Sequence, residues 1–264
     1  MSAAGSGRPE PLSDQGDQGD PASAREVAPL TPEGFAAALP DVMENVSRET
    51  LQFLHIYAES LIAWQARMNL VGPSTLADIW RRHFLDSAQL YPLLPDNDAP
   101  SDDGRMRKLK LFDLGAGAGF PGLVLALLAR HDRRFTGGRP LRAHLVESDR
   151  KKAAFMAEAA RRLGFDADPG QATAVRVRAQ RAEALEPQIA DVVIARALAP
   201  LERLLPLMAR FADMNTVLIA PKGAQAEAEL QSAGKDWKMD VERVPSRSDP
   251  RGTILVLRNL ARRR

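Results

Sequence analysis

Residues 109–122 place one carboxylate and four glycines between two apolar runs. The carboxylate is Asp113, and the glycines are Gly115, Gly117, Gly119 and Gly122. Glycine lets the backbone adopt positive φ and approach a ligand closely, and the unpaired N–H groups at the start of a following helix point toward that ligand. The order of these residues therefore predicts a strand, a tight turn and a helix that together bind a small molecule.

Asp113 narrows the chemistry of that ligand, whereas a second carboxylate, Glu147, suits both S-adenosylmethionine and NAD. Three of the glycines fit the dinucleotide-binding spacing, which is a weak signal by itself. Asp113 would repel a pyrophosphate, but it would attract the cationic amino group of an amino-acid-like cofactor such as S-adenosylmethionine. Glu147 ends the next apolar run, where a carboxylate can accept hydrogen bonds from both hydroxyls of a ribose. We therefore expect S-adenosylmethionine. NAD is the alternative cofactor, and capping a helix or turn near Gly115 is the alternative role of Asp113.

If the chain is a methyltransferase, it lacks the residues that two common kinds of methyl transfer need, which reduces the possible acceptors. It has no cysteine, which is the nucleophile that methylation of a pyrimidine at C5 usually needs. Methylation of an exocyclic amine generally uses an Asn or Asp, two prolines and an aromatic residue after the fourth strand, where this sequence reads Ile194-Ala195-Arg196-Ala197-Leu198. A ring nitrogen such as guanine N7 needs neither a nucleophile nor a base. Orienting the reactants can then lower the barrier by about 7 to 11 kcal/mol in the best cases.

Strand-like and helix-like segments alternate from residue 105 to residue 260. After the first strand, strands are predicted at 141–147, 173–179, 191–195, 215–220, 237–244 and 253–258, with helices at 149–163, 200–211 and 223–233. The alternation predicts an α/β protein with a seven-stranded, mostly parallel sheet, helices on both faces and a final antiparallel hairpin. This pattern resembles the class I S-adenosylmethionine-dependent methyltransferase fold, and in an open α/β sheet we expect ligands at the carboxyl ends of the strands.

Two further segments precede this Rossmann-like core at 105–260. Residues 41–95 are predicted to form a helical cap, with one helix capped by Ser47 and reaching Trp64 and a second helix from Thr75 to Leu90. Residues 1–40 are rich in Gly, Pro, Ser, Asp and Ala and show no sustained period. We predict that they form a disordered acidic arm.

The charge is distributed unevenly along the chain. The net charge is only +2, but residues 1–50 hold three basic and nine acidic residues, so the remainder holds 33 basic and 25 acidic ones. A basic folded part favours phosphate-rich partners. The first residues lack an apolar signal region, no apolar run has the length of a membrane span, and the absence of cysteine excludes Cys-ligated metals. We expect a cytoplasmic protein without a membrane partner or a metal.

Several motifs occur in an order that resembles one bacterial family. They are Asn69-Leu70, Arg82 to Ser87, Asp113 to Gly122, Glu147-Ser148 with Lys151-Lys152, Arg181 to Glu183, Arg196-Ala197 and Pro221 to Gly223. Over roughly residues 45–260 the chain resembles ribosomal RNA small subunit methyltransferase G, also called glucose-inhibited division protein B. The resemblance implies S-adenosylmethionine-dependent methylation of N7 of one guanosine, guanosine 527, in the 16S ribosomal RNA of the small subunit.

The resemblance also implies roles for individual residues. Its cofactor positions are Asp113, Gly115, Gly117, Phe120, Glu147, Ala182, Glu183 and Arg196, of which Ala182 and Glu183 form the adenine turn and Arg196 lies by the methyl donor and is the catalytic candidate. Its loosely assigned RNA or site-architecture positions are His83, Asp86, Lys151, Lys152 and Lys222. Ala195 departs from the serine that the family often has there. An NAD-dependent oxidoreductase and a non-catalytic RNA-binding module are the alternative functions.

Overall fold

The seven predicted strands form one sheet in the computed structural model, which describes residues 28–44, 46–95, 107–138, 140–165 and 173–263. The strands are β1 (Leu109–Leu114), β2 (Leu141–Val146), β3 (Thr173–Arg178), β4 (Val192–Ile194), β5 (Val217–Lys222), β6 (Trp237–Pro245) and β7 (Thr253–Arg262). Their order is β3-β2-β1-β4-β5-β7-β6, with β7 antiparallel to both of its neighbours and the other pairs parallel. The predicted class I methyltransferase fold and its closing hairpin are confirmed.

Helices cover both faces of this sheet. The chain forms α1 (Pro32–Ala38), α2 (Pro40–Met43), α3 (Arg48–Gln65), α4 (Asp86–Ala88), α5 (Gly122–Ala129), α6 (Arg150–Arg162), α7 (Leu201–Met208) and α8 (Ala226–Ala233). On one face α5 is buried at every residue, because it lies between the sheet and α3. On the other face α7 and α8 pack over the central strands. None of the helices described combines the length and the apolarity that crossing a bilayer requires.

The cap in front of the core is helical, but its second helix is not continuous. Ser47 caps α3 as predicted, since its Oγ accepts a hydrogen bond from the backbone N–H of Thr50 at 3.2 Å. The helix predicted from Thr75 to Leu90 is instead a series of short turns: a 3₁₀ helix at Pro73–Asp78, a π-helix at Trp80–Leu85, α4 and a 3₁₀ helix at Tyr91–Leu93. Wide π turns are frequent at functional sites.

The predicted arm ends earlier than residue 40. Within residues 28–40 the Oγ1 of Thr31 caps α1, and the buried side chains of Phe35 and Leu39 join the core. The Phe35 ring lies 5.5 Å from the ring of Trp80, and the backbone N–H of Leu30 donates to Asp78 at 2.7 Å. These contacts offset the conformational entropy that residues 28–40 lose when they become ordered. The amino-acid composition of the segment did not reveal them. The rest of the predicted arm, and the polar loop predicted at 96–104, lie outside the described residues.

Candidate active site

A cavity of about 510 Å³ opens at the carboxyl ends of β1, β2 and β4. Its lining includes six of the predicted cofactor residues, Gly115, Gly117, Glu147, Ala182, Glu183 and Arg196, together with Lys152. The parallel topology brings these residues together because it places all the carboxyl ends of these strands at one edge of the sheet. Asp113 and Phe120 lie behind this lining, and both are buried.

The glycine loop brings bare backbone to the cavity. Gly115 has a φ of +73° and Gly119 a φ of +98°, values that side chains other than glycine rarely adopt. A Cβ atom at Gly115 would lie 2.7 Å from the Cδ1 of Leu198, and one at Gly119 would lie 2.8 Å from the hydroxyl of Tyr57. The loop is therefore packed so closely that glycine is required at both positions.

Asp113 caps the start of α5. Its Oδ2 accepts a hydrogen bond from the N–H of Gly122 at 2.8 Å, while its Oδ1 is buried without a partner among the described residues. Complete burial raises the pKa of Asp113 to about 7, although the Gly122 N–H and the charge of Arg196 both oppose that rise. The capping role considered from the sequence is therefore present. The unpartnered oxygen has the capacity to accept a hydrogen bond from a cationic amino group, which would also stabilise the carboxylate.

Glu147 is oriented by two backbone groups. Its Oε2 accepts from the N–H of Gly117 at 2.9 Å, and its Oε1 accepts from the N–H of Asp149 at 2.8 Å. An ionised carboxylate has about four acceptor positions, so both oxygens can still accept from ribose hydroxyls. The glycine cradle, the oriented Glu147 and the unpartnered oxygen of Asp113 together fit S-adenosylmethionine.

Arg196 stands at the carboxyl end of β4 and is held from several directions. Its guanidinium donates to Oδ2 of Asp86 at 2.9 Å, to Nδ1 of His83 at 3.2 Å and to the carbonyl oxygen of Arg82 at 3.2 Å. The same group lies over the ring of Phe120, 5.6 Å from its centroid. Only 18% of the Arg196 side chain is exposed. The structure thus brings three of the predicted residues, His83, Asp86 and Phe120, around the catalytic candidate.

The contacts of His83 fix its tautomer. A guanidinium only donates, so Nδ1 of His83 accepts from Arg196, and Nε2 carries the hydrogen that it donates to Oγ1 of Thr75 at 2.7 Å. Burial, followed by the charges of Arg196 and Arg82, lowers the pKa of His83 to about 3. His83 is therefore neutral at physiological pH and positions Arg196, and it has no free nitrogen with which to accept a proton.

A second cavity of about 670 Å³ lies on the other side of Arg196. The two cavities share residues 196–199, which we call the wall segment, and the side chain of Arg203. His83, Asp86 and Lys222 also line the second cavity. Any molecule that enters the second cavity therefore meets the cofactor cavity across the wall segment.

The three predicted lysines have different environments. The Nζ of Lys222 donates to the carbonyl oxygen of Ala199 and pairs with Glu229, each at 2.8 Å, so this ammonium holds the wall segment in place. Lys152 is half-buried in the lining of the cofactor cavity. Lys151 is exposed in the first turn of α6 and lines neither cavity. Of these three lysines, Lys151 and Lys152 have no ion pair to another described residue.

Sequence reasoning missed the residues that support the site from a distance. The hydroxyl of Tyr57 donates to the carbonyl oxygen of Ala118 in the glycine loop, and its ring stacks on Phe120 at 5.1 Å. Ser248, in the loop between β6 and β7, donates to Asp86 at 2.5 Å. Gln89 joins the same network by donating to Oδ1 of Asp86 at 3.1 Å. No local pattern marks these residues, because each partner is distant in the sequence or part of an irregular turn.

Comparison with known proteins shows the family of this chain. The family model of GidB, described as rRNA small subunit methyltransferase G, matches residues 50–254. The chain belongs to this family. The ribosomal RNA small subunit methyltransferase G of Paramagnetospirillum magneticum is 45% identical over 83% of this chain and 94% of its own length. That of Rhodospirillum centenum is 48% identical over 83% of this chain and 88% of its own length.

A solved structure has a similar arrangement of strands and helices. The TehB-like S-adenosylmethionine-dependent methyltransferase of Corynebacterium glutamicum is 14% identical, has a TM-score of 0.44, and is matched over 76% of this chain and 98% of its own.

Family membership makes this chain an S-adenosylmethionine-dependent ribosomal RNA methyltransferase. It favours that activity over the NAD-dependent oxidoreductase and the non-catalytic module considered from the sequence. Within the described residues, no group of three or more His, Asp or Glu side chains is arranged to hold a metal ion.

Proposed function

We propose that this protein transfers the methyl group of S-adenosylmethionine to N7 of a guanosine in the small-subunit 16S ribosomal RNA, in the cytoplasm. The observation that carries the proposal is Arg196, which is fixed between two adjoining cavities. His83 is the one imidazole among the described residues that line either cavity, and its ring is held neutral with both nitrogens occupied. This site is built to position an acceptor that already has a lone pair.

The cofactor cavity supplies complementary groups for each part of the donor. When bound, S-adenosylmethionine supplies a methyl group on a positively charged sulfur. Glu147 would accept hydrogen bonds from the ribose, the turn at Ala182 and Glu183 would hold the adenine, and Oδ1 of Asp113 would accept from the amino group. The bare backbone at Gly117 leaves room for the cofactor chain, because a Cβ atom there would have only the carbonyl oxygen of Gly115 within 4 Å, at 3.9 Å.

The second cavity receives the guanine, and the chain orients it without moving a proton. In such a transfer the lone pair of N7 would displace the sulfur from the methyl carbon, so the positive charge would pass from the sulfur to the purine. The wall segment sets the approach of the base, and Arg196 fixes that wall through its contacts with Asp86, His83 and Phe120. Holding reactants in line is the main source of acceleration for such a step.

The pairing of Arg196 with Asp86 also matters electrostatically. The reaction centre carries a positive charge before and after the transfer, and an unpaired arginine beside it would repel that charge. Asp86 compensates Arg196 at 2.9 Å, so the guanidinium provides geometry without adding net charge. We accordingly assign His83 and Asp86 to the positioning of Arg196 and Lys222 to the support of the wall segment, and we keep Lys151 and Lys152 as candidate phosphate contacts.

Replacing the attacking atom tests the proposal. Small-subunit RNA in which the target guanosine is replaced by 7-deazaguanosine keeps its pairing edge but has carbon at the acceptor position. We expect it to bind with the affinity of the matched guanosine RNA and to accept no methyl group. Methylation of the 7-deaza RNA at the normal rate would exclude N7 as the acceptor.

A further inference from the structure

One part of the sheet is not covered by a helix. The connections after β4 and β5 contain α7 and α8, which pack on one face, and the connections after β1 and β2 contain α5 and α6, which pack on the opposite face. The connection from β3 to β4, residues 179–191, contains only the 3₁₀ turn Ala182–Ala184. Among the described residues, no helix therefore covers β3 on the face where α7 and α8 lie. β1 is partly covered there, since Phe112 stacks at 5.0 Å on Phe211, just after α7.

Basic side chains occupy this uncovered area. Alternation along the strands directs Lys110, Arg142, His144, Arg176 and Arg178 to this face, since Val175 and Val177 pack against the helices on the other side. The register places Lys110 beside Arg142 and His144 beside Arg176. Arg176 is exposed, and Lys110 and Arg178 are half-buried. We call Lys110, Arg176 and Arg178 the basic face.

The cations of the basic face are not neutralised by nearby carboxylates. Arg176 and Arg178 form no ion pair with any other described residue, and the Nε of Arg178 is buried without a hydrogen-bond partner there. His144, which stacks on Phe112 at 4.6 Å, lies among them, and its pKa is lowered to about 4 by burial and by the charges of Arg178, Arg176 and Lys110. The Asp191 carboxylate at the border of this area is engaged by Arg107 and by the backbone N–H of Lys110.

The basic face begins at the rim of the cofactor cavity. Arg178 is the last residue of β3, and Gln180 and Arg181, just beyond it, line that cavity. A strand rises about 3.3 Å per residue, so Arg176 lies about 7 Å further from the rim than Arg178. An RNA strand whose guanine lies in the second cavity can therefore reach this surface by crossing the mouth of the cofactor cavity.

We propose that the basic face binds the phosphate backbone of the ribosomal RNA beside the methylated site. Guanidinium groups without carboxylate partners suit phosphate oxygens, which they can contact with two parallel hydrogen bonds. The inference rests on the proposed function, because it takes the RNA as the substrate. In this proposal the basic face contributes to the affinity for RNA, and methyl transfer takes place at Arg196 and the two cavities.

The salt dependence of RNA binding tests the proposal. Each phosphate contact contributes about 0.7 to 0.9 to the slope of log affinity against log salt concentration. Arg176→Gln with Arg178→Gln should reduce that slope by about 1 to 2 and raise KM for the RNA more than it lowers kcat. The matched control is Lys235→Gln with Lys238→Gln, two exposed lysines near and within β6. Cofactor affinity, measured by calorimetry, reports whether each variant is folded.

The outcomes separate this proposal from the proposed function. A shallow slope for the unmodified protein would contradict RNA as the substrate. A steep slope that the arginine variant retains in full would overturn the basic face alone. An arginine variant with the slope of the unmodified protein for naked RNA but weaker binding to the assembled subunit would assign the face to a ribosomal protein, which also overturns the proposal.

Directed probing gives a second, independent readout. The chain has no cysteine, so Arg176→Cys introduces a single thiol to which an iron chelate that releases hydroxyl radicals can be attached. Arg178 and Lys110 remain in this variant. We expect RNA cleavage from position 176 and none above background from a chelate attached through Lys235→Cys. Equal cleavage from both positions, or none from position 176 after confirmed labelling, would refute the proposal.

Discussion

The carboxylate of Asp86 should be needed for catalysis although it does not touch the cofactor cavity. Asp86→Ala removes the charged acceptor of Arg196 and leaves the guanidinium with His83 and a backbone carbonyl. The two side chains of the pair are 18% and 20% exposed, so water screens their interaction only in part. A hydrogen bond between charged groups contributes about 1.5 to 3 kcal/mol. Because 1.36 kcal/mol corresponds to a factor of ten, the methylation rate should fall by about 10-fold to 100-fold.

The isosteric variant Asp86→Asn separates charge from shape. The amide oxygen can still accept a hydrogen bond from Arg196, but the positive charge is no longer compensated. The amide nitrogen cannot accept the hydrogen bonds that Ser248 and Gln89 donate to Asp86, so loss of these bonds accompanies the loss of charge. We expect a rate loss of similar size in single-turnover methylation at saturating cofactor and RNA, with cofactor affinity changed less than about threefold. Asp240→Asn, at an exposed carboxylate on β6, is the control. An Asp86→Asn enzyme that reacts at the normal rate would refute the argument from charge compensation.

Two further predictions concern the cofactor carboxylates. Glu147→Gln should weaken binding of S-adenosylmethionine by about 10-fold to 100-fold in calorimetry, because hydrogen bonds to a charged acceptor are lost while the backbone donors remain; unchanged affinity would contradict the site. Asp113 keeps its proton to about pH 7 in the folded state and only to about pH 4 when unfolded, so the free energy of unfolding should fall as pH rises across that window. Asp113→Asn should remove this fall, which denaturation at pH 4.5 and pH 7 would measure, and equal slopes for both proteins would contradict the raised pKa.

Local features of the sequence specified the fold and much of the cofactor cavity. The glycine loop, the strand ends at Asp113 and Glu147 and the closing hairpin all follow from spacing and periodicity, which act over a few residues. The partners of the functional side chains do not follow from such local patterns. Lys222 contacts both Glu229 and the wall segment, which come together only in the folded chain. Ser248, which donates a hydrogen bond to Asp86, is 162 residues away from it in the sequence. Such partners depend on the completed topology, which single-sequence patterns do not contain.

The link from Ser248 to Asp86 has a consequence for the order in which the enzyme becomes competent during synthesis. Arg196 is fixed by residues of the cap that are made first and, through Ser248 and Gln89, by the loop between the last two strands. A nascent chain that has already formed the glycine loop and the strand bearing Arg196 still lacks the donor that steadies Asp86. We therefore expect full activity only after the closing hairpin docks, and an incomplete chain on the ribosome that is making it should modify ribosomal RNA poorly.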